Sequence, residues 1–172
     1  MARIVLASGS PRRQELLTRI GIRDFTVRVP QVEEWYPQGL TPPEIVSYIS
    51  REKSQAVPSE DDEIVITADT MVFLDQQRLG KPRDEADALR MLTELSGRRH
   101  TVCTGVTVRQ EQRSLTRAES TDVYLSPASR EELMAYIRGG EPMDKAGAYG
   151  VQGQGALLVE RIDGDFFNVM GL

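Results

Sequence analysis

The sequence is poor in the residues on which many small proteins build their sites. It holds one cysteine, Cys103, so an internal disulfide, a CxxC redox pair and a cysteine-rich zinc site are excluded. Cys103 stands in the apolar run around Val102, where a buried, inert thiol is expected. Histidine is as scarce. His100 is the only one, which removes HExxH metal sites and Ser-His-Asp or Cys-His catalysis. General acid–base work falls to Asp, Glu, Lys or a metal-bound water. No apolar run approaches the roughly 20 residues of a membrane span. The run from Ile4 to Ala7 is also shorter than the roughly 7–15 residues of a signal-peptide core, so a cytoplasmic location is the default expectation. Positive charge is in short supply too: 21 Lys and Arg stand against 26 Asp and Glu, a net charge of −5. Non-specific binders of nucleic acid or anionic membrane carry a basic face, so neither partner is expected. An acidic chain that binds a small polyanion must gather its cations locally.

What is present suits one α/β domain, or one core drawn out into two lobes: 172 residues, 40% apolar and 27% charged. Ile4–Ala7 reads as a short buried strand, broken at Ser8-Gly9-Ser10. Ser10-Pro11 then reads as an N-cap with proline in the first helical position; Leu16, Leu17 and Ile20 make an apolar stripe, and Gly21 ends the helix. Phe25–Val29 alternates like a strand. Thr41-Pro42-Pro43-Glu44 is a capping box opening a helix to about Val57. Glu63–Thr67 is a β-branched run that pauses at Ala68-Asp69-Thr70 and resumes over Met71–Leu74. Asp84–Leu95 reads as a helix, Thr101–Val108 and Thr116–Tyr124 as a hairpin turning near Glu111, and Ser129–Gly140 as a capped helix. Leu157–Ile162 and Phe166–Val169 read as a final pair of strands joined through Asp163-Gly164. Interleaved helices and a hairpin imply a mixed sheet.

Five features could carry chemistry. Ser8-Gly9-Ser10-Pro11-Arg12-Arg13 puts hydroxyls, a glycine and two arginines at a helix N-terminus, where free N–H groups and the dipole favour a phosphate. A capped helix with solvated arginines reads equally well, and the spacing is not that of a P-loop. Asp69 is placed where a strand yields to a carboxylate, a position suited to a catalytic or metal-binding acid or to a plain turn. Lys81, bracketed by Gly80 and Pro82, is a fixed point charge or a solvated loop lysine. The segment Glu141–Gly153 has so many small residues that a backbone lying close against something is expected, and a tightly packed turn between lobes would explain it equally well. Glu33-Glu34 could supply a Mg²⁺ ligand, though adjacent loop acids are more often solvated.

Together these motifs resemble the Maf family. Leu6–Arg13, Ala68-Asp69-Thr70, Leu79-Gly80-Lys81-Pro82, Asp144–Gly153 and Ile162–Leu172 stand in that family's order and spacing, so the resemblance spans 1–172 as one Maf-like domain. It implies a nucleoside triphosphate pyrophosphatase with a housecleaning role, and a fold like that of the inosine triphosphate pyrophosphatases: an elongated mixed sheet flanked by helices, with a cleft between two lobes. It also implies a divalent cation, Mg²⁺ or Mn²⁺, and makes Asp69 the proton acceptor. Ser8, Ser10 and Arg13 become triphosphate holders, with Lys53 and Lys81 adding charge; Asp69 becomes a metal ligand, and Glu33 of the acidic pair is the second candidate ligand. Arg12, Thr70 and Gln152 occupy the positions that separate the family's branches and match the one acting on dTTP and UTP. A glutamine amide, able to donate and accept, suits the edge of a uracil or thymine ring. The family pattern continues past Leu172 with a proline and a further helix that this sequence does not contain, and it leaves a homodimer open. Two other functions compete: a non-catalytic nucleotide-binding regulator of cell division, and a phosphatase releasing single phosphates.

Overall fold

The computed structural model describes residues 2–172. Its elements run β1 (Arg3–Leu6), α1 (Pro11–Arg19), β2 (Phe25–Val27), α2 (Pro42–Ala56), β3 (Glu63–Leu74), β4 (Gln77–Leu79), α3 (Glu85–Leu95), β5 (Arg99–Gln110), β6 (Arg113–Leu125), α4 (Arg130–Arg138), three short 3₁₀ turns, β7 (Val159–Asp163) and α5 (Phe166–Met170). The seven strands form a mixed sheet in the order β2-β1-β3-β5-β6-β7, with β4 paired to β3. The chain divides into two compact units, each with its own core.

The first unit comprises the residues up to Thr70, Thr104–Glu119 and Gly171–Leu172. Here β1 pairs in parallel with both β2 and β3, Ile4 opposite Phe25 and Leu6 opposite Ile66. Parallel neighbours need crossover connections, which α1 and α2 supply. Helix α1 buries Leu16 and Leu17 as its pattern requires. Ile20, expected on that stripe, is instead 70% exposed. It is the cap residue, where the backbone leaves the helix before Gly21 at φ +94°, and Ile22 packs on Leu6 and Leu17 in its place.

Helix α2 starts where the Glu44 carboxylate accepts from the Thr41 N–H at 2.7 Å. Ile45, Val46, Ile49, Ser50 and Ser54 form its buried face at helical spacing. Its backbone lies so close to β5 that a Cβ on Gly105 would stand 2.4 Å from the Val46 carbonyl oxygen. Hydroxyls fill the layer beneath: Thr67 donates to the Ser50 carbonyl at 2.7 Å, and Ser50 and Thr107 share a bond of 2.8 Å. Glycine at 105 and small hydroxyl residues around it let the helix settle at this depth.

A second expectation fails within this unit. Strand β3 runs unbroken through Ala68, Asp69 and Thr70. Both polar side chains find partners inside the fold, Asp69 on Lys53 and Thr70 on Thr104 and Arg13, so nothing forces the chain out of the sheet.

The second unit comprises Met71–Cys103 and Ser120–Met170. Its core gathers Leu92 and Leu95 of α3, Ile137 of α4, Val123 of β6 and Leu79 of β4. Strand β4, not anticipated from the sequence, pairs antiparallel with β3 across a turn in which Asp75 has φ 55°. Strand β7 pairs antiparallel with β6, Val123 opposite Ile162. The expected strand at Phe166–Val169 is the helical turn α5. Asp165 accounts for the difference, because its carboxylate accepts from the N–H groups of Phe167 (2.7 Å) and Asn168 (3.1 Å) and so caps a helix.

His100 is buried in this unit against Tyr149, edge to face, and shares a hydrogen bond with its hydroxyl. Its Nδ1 is buried without a hydrogen-bond partner. Burial lowers the imidazole pKa to about 4, opposed by Asp122. The unfolded chain, with an ordinary imidazole near 6.5, therefore binds a proton that the folded chain refuses between those values. Stability should rise with pH from about 4 to about 6.5 by up to roughly 3 kcal/mol, measured by urea unfolding at each pH. The lone imidazole NMR signal should titrate near 4 in the folded protein.

Candidate functional site

Where β1 ends at Leu6, the Ala7 N–H still reaches the Ile66 carbonyl (2.8 Å) before the chain turns through Ser8–Ser10 into α1. The turn is closed by the buried Ser8, whose Oγ accepts from the Ser10 N–H and from Arg13 Nη1, both at 3.2 Å. Ser10 stands at the N-cap position, but its side chain makes no cap bond. Arg13 is held along its whole fork. Besides Ser8, it donates from Nε to the Gly171 carbonyl (2.7 Å) and from Nη2 to Thr70 Oγ1 (3.1 Å). Burial lowers its pKa to about 10, opposed by Asp69 and reinforced by Arg12, so it keeps its charge at neutral pH. The half-buried Arg12 adds a second guanidinium to the same helical turn.

Asp69 stands in the middle of β3 yet beyond the end of β1, whose pairing stops at Leu6 opposite Ile66. It therefore lies at the carboxyl end of the parallel pair, the side on which open α/β sheets bind ligands. Its side chain is almost fully buried. Oδ1 accepts from Lys53 Nζ at 2.8 Å, while Oδ2 is buried with no hydrogen-bond partner. Lys53 follows Val46 by two helical turns on the same face of α2, so the packing at Gly105 aims it at β3. Its ammonium also lies 3.0 Å from Glu34 Oε1. Burial raises the Asp69 pKa, opposed first by Lys53, with Glu34 adding to the rise.

Both adjacent acids are exposed, and the Glu34 carboxylate reaches Lys53. Thr104 is an addition to the sequence-derived residues, and Glu34 comes from the acidic pair already singled out. Thr104 is buried and shares a 2.8 Å hydrogen bond with Thr70 Oγ1, which also receives Arg13. Ser8, Ser10, Arg12, Arg13, Lys53, Asp69 and Thr70 thus all belong to the first unit, and the hydrogen bonds above link Ser8, Ser10, Arg13 and Thr70 to one another and Lys53 to Asp69.

The two remaining candidates belong to the second unit. Lys81 is exposed, just after Gly80, whose carbonyl accepts from the Gly147 N–H at 3.1 Å; the lysine loop and the glycine-rich segment are therefore neighbours. Gly147 has φ +74°, and a Cβ there would press on Val72 at 3.1 Å. Gln152 is exposed in the same segment, between the buried Val151 and Gly153.

A divalent cation can be tested against this arrangement. The described residues contain no group of three or more His, Cys, Asp or Glu able to hold a metal unaided. Two carboxylates, Asp69 and Glu34, do meet at one lysine, and Asp69 Oδ2 is an oxygen in need of a partner. Mg²⁺ is commonly bound by one or two carboxylates plus substrate phosphates and water, so the residues fit such an ion when a phosphate is present.

Thr104→Val keeps the side-chain shape and removes the hydroxyl paired with Thr70. It should lower stability by about 1 kcal/mol in urea unfolding.

The Maf-like protein family model matches residues 3–172. The chain is 47% identical over 171 residues to a dTTP/UTP pyrophosphatase of Bacillus velezensis, covering 99% of this chain and 90% of that one. It is 47% identical over 173 residues to a dTTP/UTP pyrophosphatase of Symbiobacterium thermophilum, covering 100% and 89%. Among solved structures, a HAM1 protein from Coxiella burnetii shares 15% identity over 74% of this chain and 75% of that one, with a TM-score of 0.49. A match across nearly every residue, with relatives of this identity along the full length, places the chain in the Maf family.

Proposed function

We propose that this protein hydrolyses dTTP and UTP to the monophosphate and pyrophosphate, by attack of water on the α-phosphorus. The observation that carries the reading is the Asp69 carboxylate, buried with one oxygen on Lys53 and the other without a partner. Such a group is poised for proton or metal chemistry, which hydrolysis requires and nucleotide binding alone does not. The shared name of its close relatives supports the substrate.

Phosphoryl transfer asks the protein mainly for positioning and charge. Arg13, fixed by Ser8, Thr70 and Gly171, is preorganised to face phosphate oxygens together with Ser8, Ser10 and the first turn of α1. Asp69 orients the attacking water and takes its proton; burial, by raising its pKa, makes it a better base than an ordinary carboxylate. Lys53 holds the carboxylate in place. In this reading Lys81 adds charge toward the phosphates, and Arg12, Thr70 and Gln152 select the base.

Charge argues for a divalent cation. Asp69 and Glu34 cancel Lys53 and Arg13, so even with Arg12 and Lys81 counted the roughly four negative charges of a triphosphate are not fully offset. Mg²⁺ or Mn²⁺, held by Asp69 and Glu34, would supply that charge and acidify water.

Incubation with dTTP or UTP and Mg²⁺ should release pyrophosphate; orthophosphate alone would point to a phosphatase, and no product to a regulator. Asp69→Asn should lower kcat by about a thousandfold or more while fluorescence titration still detects nucleotide binding. Near-normal turnover would remove Asp69 from the chemistry. Glu34→Gln should raise the Mg²⁺ concentration for half-maximal activity by roughly tenfold or more, whereas Glu33→Gln should change it less than about twofold.

A further inference from the structure

The segment Glu141–Gly155 is wrapped around a side chain of its own. The Glu141 carboxylate accepts at Oε1 from the Tyr136 hydroxyl (2.9 Å) and the Gly155 N–H (3.1 Å), and at Oε2 from the Gln154 N–H (2.9 Å). The Tyr136 hydroxyl in turn accepts from the Gly150 N–H at 3.0 Å. Lys145 donates to the Glu141 carbonyl at 2.9 Å, tying the start of the segment to itself. The glycines are what allow this. A Cβ on Gly153 would lie 2.4 Å from Glu141 Oε2, one on Gly150 2.6 Å from Lys145 Cε, and one on Gly155 2.1 Å from the Gly150 carbonyl oxygen.

The turn from Gly150 to Gly155 is thus fixed at both ends by one carboxylate–tyrosine pair. Between the fixed ends stand the buried Val151 and the exposed Gln152. Two aspects point to positioning rather than to packing. The bonds converge on the N–H groups of Gly150 and Gln154, between which Gln152 is the exposed residue that carries a side chain, and a glutamate is used where an apolar residue would fill space as well.

We infer that Glu141, acting with Tyr136, is a positioning residue for base recognition: it sets the turn that presents the Gln152 amide to the pyrimidine ring. The inference rests on the reading of Gln152 as the base-selecting residue. Glu141 touches no substrate. A planar amide reads a ring edge only at a defined distance and angle, so an exposed glutamine on a loose turn would lose selectivity to side-chain and backbone freedom.

The test is a double-mutant cycle on dTTP hydrolysis. Glu141→Gln is nearly isosteric but turns an N–H toward donors that need an acceptor. It should raise KM for dTTP about tenfold and leave kcat within about twofold, the signature of lost uniform binding. Tyr136→Phe keeps the ring in the core, removes only the bridging hydroxyl, and should shift KM in the same direction; it carries the test if E141Q does not fold. In a Gln152→Ala background, E141Q should change kcat/KM by less than about twofold, because the residue it positions is gone. An equal fall in both backgrounds, or a fall confined to kcat, would overturn the proposal. So would a silent E141Q beside a damaging Q152A. If Q152A itself leaves dTTP and UTP kinetics unchanged, the reading of Gln152 fails, and this inference with it.

Discussion

A buried ion pair sets the terms for the first unit. A carboxylate in the interior of a strand is costly unless a cation meets it, and leaving one charge of such a pair without its partner typically costs about 3–5 kcal/mol. Lys53 meets Asp69, and it can do so only if α2 lies at one depth and one rotation on the sheet. The missing side chain at Gly105 sets the depth, and the hydroxyls of Ser50, Thr67 and Thr107 set the rotation. The pair satisfies one oxygen of Asp69 and leaves the other for chemistry. Packing around α2 and reactivity at β3 are therefore one problem, solved by the same residues.

The two glycine-bearing segments use backbone N–H groups in opposite ways. At Ser8–Ser10 the chain turns into a helix whose N-cap side chain makes no cap bond, and Arg13 stiffens the turn through Ser8. At 150–155 the N–H groups turn inward onto Glu141, an anion supplied by the protein itself. The first arrangement suits an incoming phosphate. The second is already filled, so its value lies in the shape it holds.

Much of this was legible in the sequence because strong local signals decide it. The strand, polar loop and proline-led helix around Ser8–Arg13, the capping box at Thr41–Glu44 and the turn at Glu111 fold as their local chemistry directs. The misreadings share a cause: tertiary partners outvoted local pattern. Asp69 looked like a break in a strand because its counter-ion lies sixteen residues earlier, on another element. Phe166–Val169 looked like a strand because the capping role of Asp165 competes with a glycine turn just before it. That the Glu34 carboxylate reaches Lys53 was not legible either, because the irregular segment that carries Glu33 and Glu34 has no periodicity to orient their side chains. The glycine-rich run signalled close approach but not its target, since the approaching group is a carboxylate within the same segment.

The bond from Arg13 to the Gly171 carbonyl spans 158 residues. The carbonyl that restrains Arg13 is therefore translated long after the guanidinium itself. Ser8 and Thr70 are available far sooner, so the guanidinium gathers its partners in stages. Contacts of such sequence separation form slowly, because their loop-closure entropy falls due before any reward. The anion loop is thus made well before the last of the contacts that stiffen it, which ties its rigidity to the folding of segments far along the chain.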